Sequence, residues 1–145
     1  MTRTTLITGG AGFIGSNYAH RLLKRGENVI LFDNLSRRGA IDNLEWLKNE
    51  FGKDSFRFIC GDVRIIDEIE TAVKSADVVI HLAAQVAVTA SVTNPREDFE
   101  INALGTFNLL EGARKSGKQP TVVFASTNKV YGGLEDLRVA EDETR

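Results

Sequence analysis

Three glycines spaced three apart, Gly9, Gly12 and Gly15, sit where the apolar run Leu6-Ile7 gives way to the start of a helix. Such a turn leaves backbone N–H groups pointing outward at a helix N-terminus, where the helix dipole also favours an anion. A diphosphate is the natural guest. Gly9 permits the tight turn, Gly12 lets a pyrophosphate approach the backbone around Phe13 and Ile14, and Gly15 lets the helix pack closely on its strand. The spacing is G-x-x-G-x-x-G rather than G-x-G-x-x-G, and a plain strand–turn–helix corner could carry the same glycines without a ligand.

What raises the meaning of the glycines is an acid. The segment Asn28-Val29-Ile30-Leu31-Phe32 reads as a second buried strand, and Asp33 ends it, 18 residues past Gly15. A carboxylate there can accept hydrogen bonds from both hydroxyls of an adenosine ribose and would repel a 2′-phosphate. Arg37 and Arg38 nearby would suit a phosphorylated cofactor, but Asp33 is better placed, so the pattern favours NAD over NADP. A strand-ending Asp-Asn turn is the bland alternative.

Strands and helices must alternate to position these groups. The pattern predicts strands near 3–8, 28–32, 55–60, 78–82 and 121–125. Helices are expected over 13–25 ending at Gly26, and over 43–49 with Leu44 and Leu47 inward and Trp46 less committed. Another is expected over 66–75 with Ile66, Ile69 and Val73 on one face. A longer one starts at Asn94-Pro95-Arg96-Glu97, with Asn at the cap and Pro at N1, and runs to Lys115 before Gly117. This is an α/β chain forming one Rossmann-type domain over 1–145: a doubly wound parallel sheet of order 3-2-1-4-5 with helices on both faces. The ligand crevice of such a sheet lies at the carboxyl ends of its strands, near the switch between strands one and four.

Those carboxyl ends carry Gly9 to Gly15, Asp33-Asn34, Gly61-Asp62-Val63, Leu82-Ala83-Ala84-Gln85 and Ser126-Thr127-Asn128. Asp62 suits either an adenine amino group or a helix N-cap. Ala83-Ala84 allows a flat ligand, or simply a tight turn, to approach the backbone. Asn102 is polar on an apolar helix face, so it should hydrogen-bond something buried, such as a backbone loop. His20 and His81 read as structural, and no histidine–carboxylate cluster suggests a metal.

Charge and length bound the rest. A net charge of −2 and a pI near 5.7 give no electrostatic reason to expect nucleic acid or an acidic membrane as partner. No apolar stretch approaches membrane-span length, and glycines interrupt the first apolar run too early for a signal peptide. Cys60, the single cysteine, lies in the apolar run Phe56-Arg57-Phe58-Ile59-Cys60 and reads as a core thiol; a reducing cytoplasm is the expected location.

Together these motifs resemble the extended short-chain dehydrogenase/reductase family that acts on nucleotide sugars. The matching residues are Thr8 to Gly15, Phe32-Asp33-Asn34-Leu35-Ser36, Gly61-Asp62-Val63, His81-Leu82-Ala83-Ala84-Gln85, Asn102 with Gly105-Thr106, and Ser126-Thr127 followed by Val130-Tyr131-Gly132. The resemblance implies tightly held NAD, oxidation of one sugar carbon to a ketone, and return of the hydride after the intermediate changes. It implies a nucleotide-sugar site at Thr127 and Asn128, with Thr127 hydrogen-bonding the reacting hydroxyl. In the family a Tyr phenolate takes the proton, its pKa lowered by a Lys four residues later. Here the residues four past Tyr18 and Tyr131 are Leu22 and Glu135, so no Tyr-x-x-x-Lys occurs; the expectation is the N-terminal, cofactor-binding part of a longer enzyme. Family dehydratases follow the Thr with Asp and Glu, whereas Asn128 and Lys129 follow it here, which points to the epimerase branch. A stand-alone dinucleotide-binding module is the competing reading. The resemblance also implies a homodimer or higher homo-oligomer through the helix from Asn94 to Lys115. Phe99, Ala103, Phe107 and Leu110 form an apolar stripe there, with Leu104 on the outward side.

Overall fold

The computed structural model describes residues 3–127 together with Val130 and Gly132. Five parallel strands form one sheet: β1 (Thr4–Thr8), β2 (Asn28–Asp33), β3 (Arg57–Cys60), β4 (Val78–His81) and β5 (Thr121–Phe124). Their order is β3-β2-β1-β4-β5, as the alternation of elements implied. β1 is flanked on both sides, pairing Leu6 with Ile30 and with Val79. A strand buried on both faces needs apolar side chains in both directions, and Leu6 and Ile7 are both fully buried.

The helices divide between the two faces of the sheet. α1 (Phe13–Leu23) and α2 (Ala40–Phe51) cover one face, where Ile7 and Leu31 meet Ala19, Leu44 and Leu47. α3 (Ile66–Val73) and α6 (Gly105–Lys115) cover the other, where Leu6, Ile30 and Val79 meet Ile69, Val73 and Leu109. Between β4 and α6 the chain forms α4 (Val88–Thr93), α5 (Pro95–Phe99) and a π-helical segment (Glu100–Leu104). Asn94 caps α5 as its sequence indicated, accepting from the Glu97 N–H at 3.3 Å with Pro95 at the first helical position.

Several expectations need correction. α2 begins at Ala40 rather than Asn43, because Gly39 takes a left-handed conformation (φ 86°) and Ala40 is buried in the core. Ile66 is exposed: it is the first residue of α3, and Ala72 fills the buried face beside Ile69 and Val73. Cys60 is exposed rather than a core thiol. Its strand is the sheet's outer edge, paired on one side only, and Cys60 is its last residue, so an apolar run there does not guarantee burial on both faces. α4 has no counterpart in the sequence reading; it spans six residues, none of them buried, and so lacks an inward apolar face. No helix among the described residues is long and apolar enough to cross a membrane.

Candidate functional site

The carboxyl ends of the strands open into two adjoining hollows. One is lined by Asp33, Asn34, Ser36, Asp62 and Val63. The other is lined by Phe13, Ile14, Gly15, Asn102, Ser126 and Thr127. Gly9, Gly12, Arg37 and Leu82-Ala83-Ala84-Gln85 line both, so the two form halves of one cleft that crosses the β1/β4 switch point. Every site residue named from the sequence lines this cleft except Asn128, which lies outside the described residues, as do Lys129 and Tyr131.

The glycine turn is held tightly. Gly9 has φ 66°, and a Cβ there would come within 2.8 Å of the Ala83 nitrogen, so the turn abuts the end of β4. A Cβ on Gly15 would collide with the Gly9 carbonyl oxygen and lie 2.8 Å from Gly10 Cα; the close approach is to the turn itself rather than to the strand. Gly12 is different, since its absent Cβ would touch only the Gly9 oxygen, at 3.1 Å, and otherwise face the cleft. α1 has no side-chain cap and no acid in its first turn, and its first intrahelical bond runs from Ser16 N–H to the Gly12 carbonyl at 2.9 Å. Among the described residues nothing accepts from the Phe13 and Ile14 N–H groups. Two outward donors at a helix N-terminus with no competing acid make a site that fits a phosphate group.

Asp33 closes the turn from the side. Its Oδ2 accepts from Ala11 N–H at 3.0 Å and its Oδ1 from Leu35 N–H at 2.8 Å. An ionised carboxylate offers about four acceptor positions, so two remain for a ligand. The next residues fold sharply: Asn34 Oδ1 accepts from Ser36 N–H at 3.1 Å, and Leu35 adopts φ 57°, uncommon for a side chain of its size. Leu35 is held there by packing against the α1/α2 core.

Asp62 is occupied in a way the sequence does not suggest. It is not the N-cap of α3, where Ile65 stands without a side-chain bond. Its two oxygens accept from Arg64 Nε at 3.0 Å and Arg64 Nη2 at 2.6 Å, and Asn34 Nδ2 donates to Oδ2 at 3.1 Å. The Arg64 guanidinium is the main reason its carboxyl sits low, at about 2.

Asn102 does what its placement predicted. Gln85 N–H donates to Asn102 Oδ1 at 2.9 Å, and Asn102 Nδ2 donates to the Gln85 carbonyl at 3.0 Å, so one amide side chain imitates a strand partner for the loop after β4. It stands in the π-helical segment, and such bulges re-aim side chains at functional sites. A second amide in the same helical stretch, Asn108, escapes the sequence reading: it is buried and donates to the Val63 and Arg64 carbonyls at 3.0 and 3.1 Å.

His81 joins these parts. Thr8 Oγ1 accepts from Leu82 and Ala83 N–H, both at 3.3 Å, so its own proton is directed to His81 Nδ1 at 2.6 Å. That leaves Nε2–H to donate to Thr106 Oγ1 at 3.1 Å, and the Thr106 hydroxyl donates onward to the Asn102 carbonyl at 2.6 Å. The chain of donors runs one way only with a neutral imidazole, and burial lowers the His81 pKa to about 4. His81 is therefore structural, as is His20, which stacks on Trp46 with ring centres 4.9 Å apart. Among the described residues no group of three or more His, Cys, Asp or Glu could hold a metal ion.

Parallel order 3-2-1-4-5, a glycine turn at the switch point and an acid ending β2 define a dinucleotide-binding domain of the short-chain dehydrogenase/reductase kind. Residues 6–145 match the family described as GDP-mannose 4,6 dehydratase, and the chain belongs to that family. It is 48% identical over 142 residues to a CDP-paratose 2-epimerase of Salmonella typhi, covering 97% of this chain and 41% of that protein. The UDP-glucose 4-epimerase of Thermus thermophilus, solved with NAD, superposes with a TM-score of 0.73 at 40% identity, over 86% of this chain and 37% of that one. A UDP-glucose 4-epimerase of Stenotrophomonas maltophila, with bound NAD and formylated UDP-arabinopyranose, gives 0.82 at 30% identity, over 96% and 41%. The chain spans about two fifths of the length of the curated relatives it matches.

Proposed function

We propose that this chain binds NAD across the cleft and forms the cofactor half of a nucleotide-sugar epimerase. The observation that carries the reading is the meeting of three groups in one cleft: the open N-terminus of α1, Asp33 with spare acceptor positions, and Ser126-Thr127 at the end of β5. The adenosine would lie on the side of Asp33, Asn34, Ser36, Asp62 and Val63. The diphosphate would lie over Gly12, Phe13 and Ile14. The nicotinamide would lie between Leu82-Ala83-Ala84-Gln85 and Ser126. Bound NAD would accept a hydride from a sugar carbon and return it. Thr127, with Asn128 beside it in sequence, would hold the reacting hydroxyl.

The reaction we favour is epimerisation at C2 of CDP-paratose, giving CDP-tyvelose through a transient ketone. It is supported by 48% identity to a protein of that name. It is also supported by the wording Asn34-Leu35-Ser36-Arg37-Arg38-Gly39 and Ser126-Thr127-Asn128-Lys129, which lacks the acid pair of a dehydratase. The Thermus and Stenotrophomonas neighbours favour a second reading, 4-epimerisation of a UDP-sugar. The test has two stages. The 145 residues alone should bind NAD in a titration yet turn over neither sugar nucleotide, because they contain no Tyr-x-x-x-Lys. A full-length protein carrying this chain should then invert C2 of CDP-paratose. Inversion of UDP-glucose alone would select the second reading, and NAD binding with neither activity would leave a binding module.

The long helical stretch after β4 bears on assembly. Phe99, Phe107 and Leu110 are 64, 57 and 49% exposed, and Leu104 is 38% exposed, more apolar surface than a helix covering one side of a sheet needs. We propose that this stripe pairs with a second copy in the full-length enzyme. Leu104→Glu should then sediment as a monomer with NAD still bound, and an unchanged dimer would return Leu104 to contacts within its own chain.

A further inference from the structure

We propose that Arg37 clamps the diphosphate of the bound dinucleotide over the N-terminus of α1, rather than reading a phosphate on the adenosine 2′ position. The inference deepens the NAD reading above and rests on it. Its first ground is position. Asp33, Asn34 and Ser36 line only the adenosine half of the cleft, whereas Arg37, Gly9 and Gly12 line both halves. The only part of a dinucleotide common to both halves is its diphosphate. A 2′-phosphate would lie wholly on the Asp33 side, against a carboxylate.

The second ground is charge. A diphosphate brings two negative charges, and a helix N-terminus offers the equivalent of roughly half a positive charge. Among the described residues lining either half, Arg37 is the only cation. Its guanidinium has no carboxylate partner among the described residues, and the nearest acid in sequence, Asp33, already accepts from Ala11 and Leu35 N–H. Arg64, by contrast, is bound to Asp62, and Arg38 lines neither half. A planar guanidinium matches two phosphate oxygens at once, which an ammonium does not.

The third ground is the loop that presents it. The left-handed Leu35 and the Ser36 N–H bond to Asn34 turn the chain back on itself after β2. Arg37 then gives its carbonyl to Ala40 N–H at 3.1 Å, which fixes its backbone at the start of α2. Arg37 is exposed there and borders both halves of the cleft.

Titrating the chain and its Arg37→Gln variant with NAD, NADP, ADP and adenosine separates the possibilities. The clamp requires NAD and ADP affinities to fall together by about ten- to a hundredfold, the range for losing one charge-assisted phosphate contact, with adenosine unchanged. NADP should lose the same factor as NAD, and Arg37→Lys should restore only part of it. A loss confined to NADP would make Arg37 a 2′-phosphate reader and overturn the proposal. An equal loss for adenosine would mean that the variant disturbs the Asp33 loop, and unchanged NAD and ADP binding would remove Arg37 from the site. A wild-type chain that binds ADP but not NAD would sink the cofactor reading by itself, while the ADP comparison still decides the clamp.

Discussion

Asp33→Ala is expected to weaken NAD binding about a hundredfold or more while narrowing the gap between NAD and NADP. Two charge-assisted hydrogen bonds to ribose hydroxyls, each worth roughly 1.5–3 kcal/mol, would disappear, and every 1.4 kcal/mol is a factor of about ten in affinity. The same substitution removes the carboxylate's repulsion of a 2′-phosphate, so NADP should lose less than NAD. The structure adds a second consequence. Because Asp33 also accepts from Ala11 and Leu35 N–H, the variant leaves two partly buried backbone donors unpaired, and stability should fall by about 2–4 kcal/mol. Asp33→Asn separates the two effects. Its single amide oxygen can keep one backbone donor, so much of the stability should return while the charge-dependent choice of cofactor does not. Calorimetric titration with both cofactors beside denaturant unfolding measures both quantities. Equal losses for NAD and NADP in the alanine variant would show that Asp33 organises the turn without reading the ribose.

That double duty shows what is legible in the sequence and what is not. Gly9, Gly12, Gly15 and Asp33 announce themselves because backbone conformation, close approach and charge each demand a residue type at a fixed spacing. The sheet order follows from alternating apolar runs and the handedness of crossovers. Asn102 can be singled out because a lone amide on an apolar helix face must bond something. The failures share a cause: they depend on neighbours distant in sequence, or on geometry with no 3.6-residue period. Cys60 reads as buried because it closes an apolar run, although the order 3-2-1-4-5 puts its strand at the sheet's edge, where the last residue is covered on one side only. Asp62 could serve as a helix cap by its sequence position, but Ile65 takes that place, and Asp62 holds the Arg64 guanidinium two residues away. The π-helical segment displaces the register of the long helix without a glycine or proline to mark it, and α4 is too short for periodicity to exist. That Arg37 borders both halves of the cleft is likewise hidden in sequence order, which shows only that it follows Asp33 closely.

Unfolding followed against pH should expose His81. Burial holds its folded pKa at about 4, against an ordinary value of 6.5 in the unfolded chain. The unfolded state therefore binds a proton at higher pH than the folded state. Stability is full above about 6.5 and declines as pH falls towards 4, by about 3 kcal/mol at 1.36 kcal/mol per unit. The geometry explains the resistance to protonation. A charged imidazole would turn Nδ1 into a donor facing the Thr8 hydroxyl, whose acceptor positions already serve Leu82 and Ala83 N–H. Asp62 acts in a separate window: its depressed carboxyl contributes stability above about 4 that is lost only as pH falls on towards about 2. Between pH 6.5 and 4 the slope should thus belong mainly to His81. His81→Gln should be less stable at pH 7, since it cannot bridge Thr8 and Thr106 with the same reach, and should lose most of that slope. Because the relay ends at Asn102 and the Gln85 loop, wild-type NAD affinity should decline over the same interval as the protein loosens. A nitrogen-15 spectrum at neutral pH should show the neutral ring protonated at Nε2. A wild-type stability curve that stays level from pH 7 to 4.5, or a glutamine variant that keeps the full slope, would place the acid sensitivity elsewhere and leave His81 as packing alone.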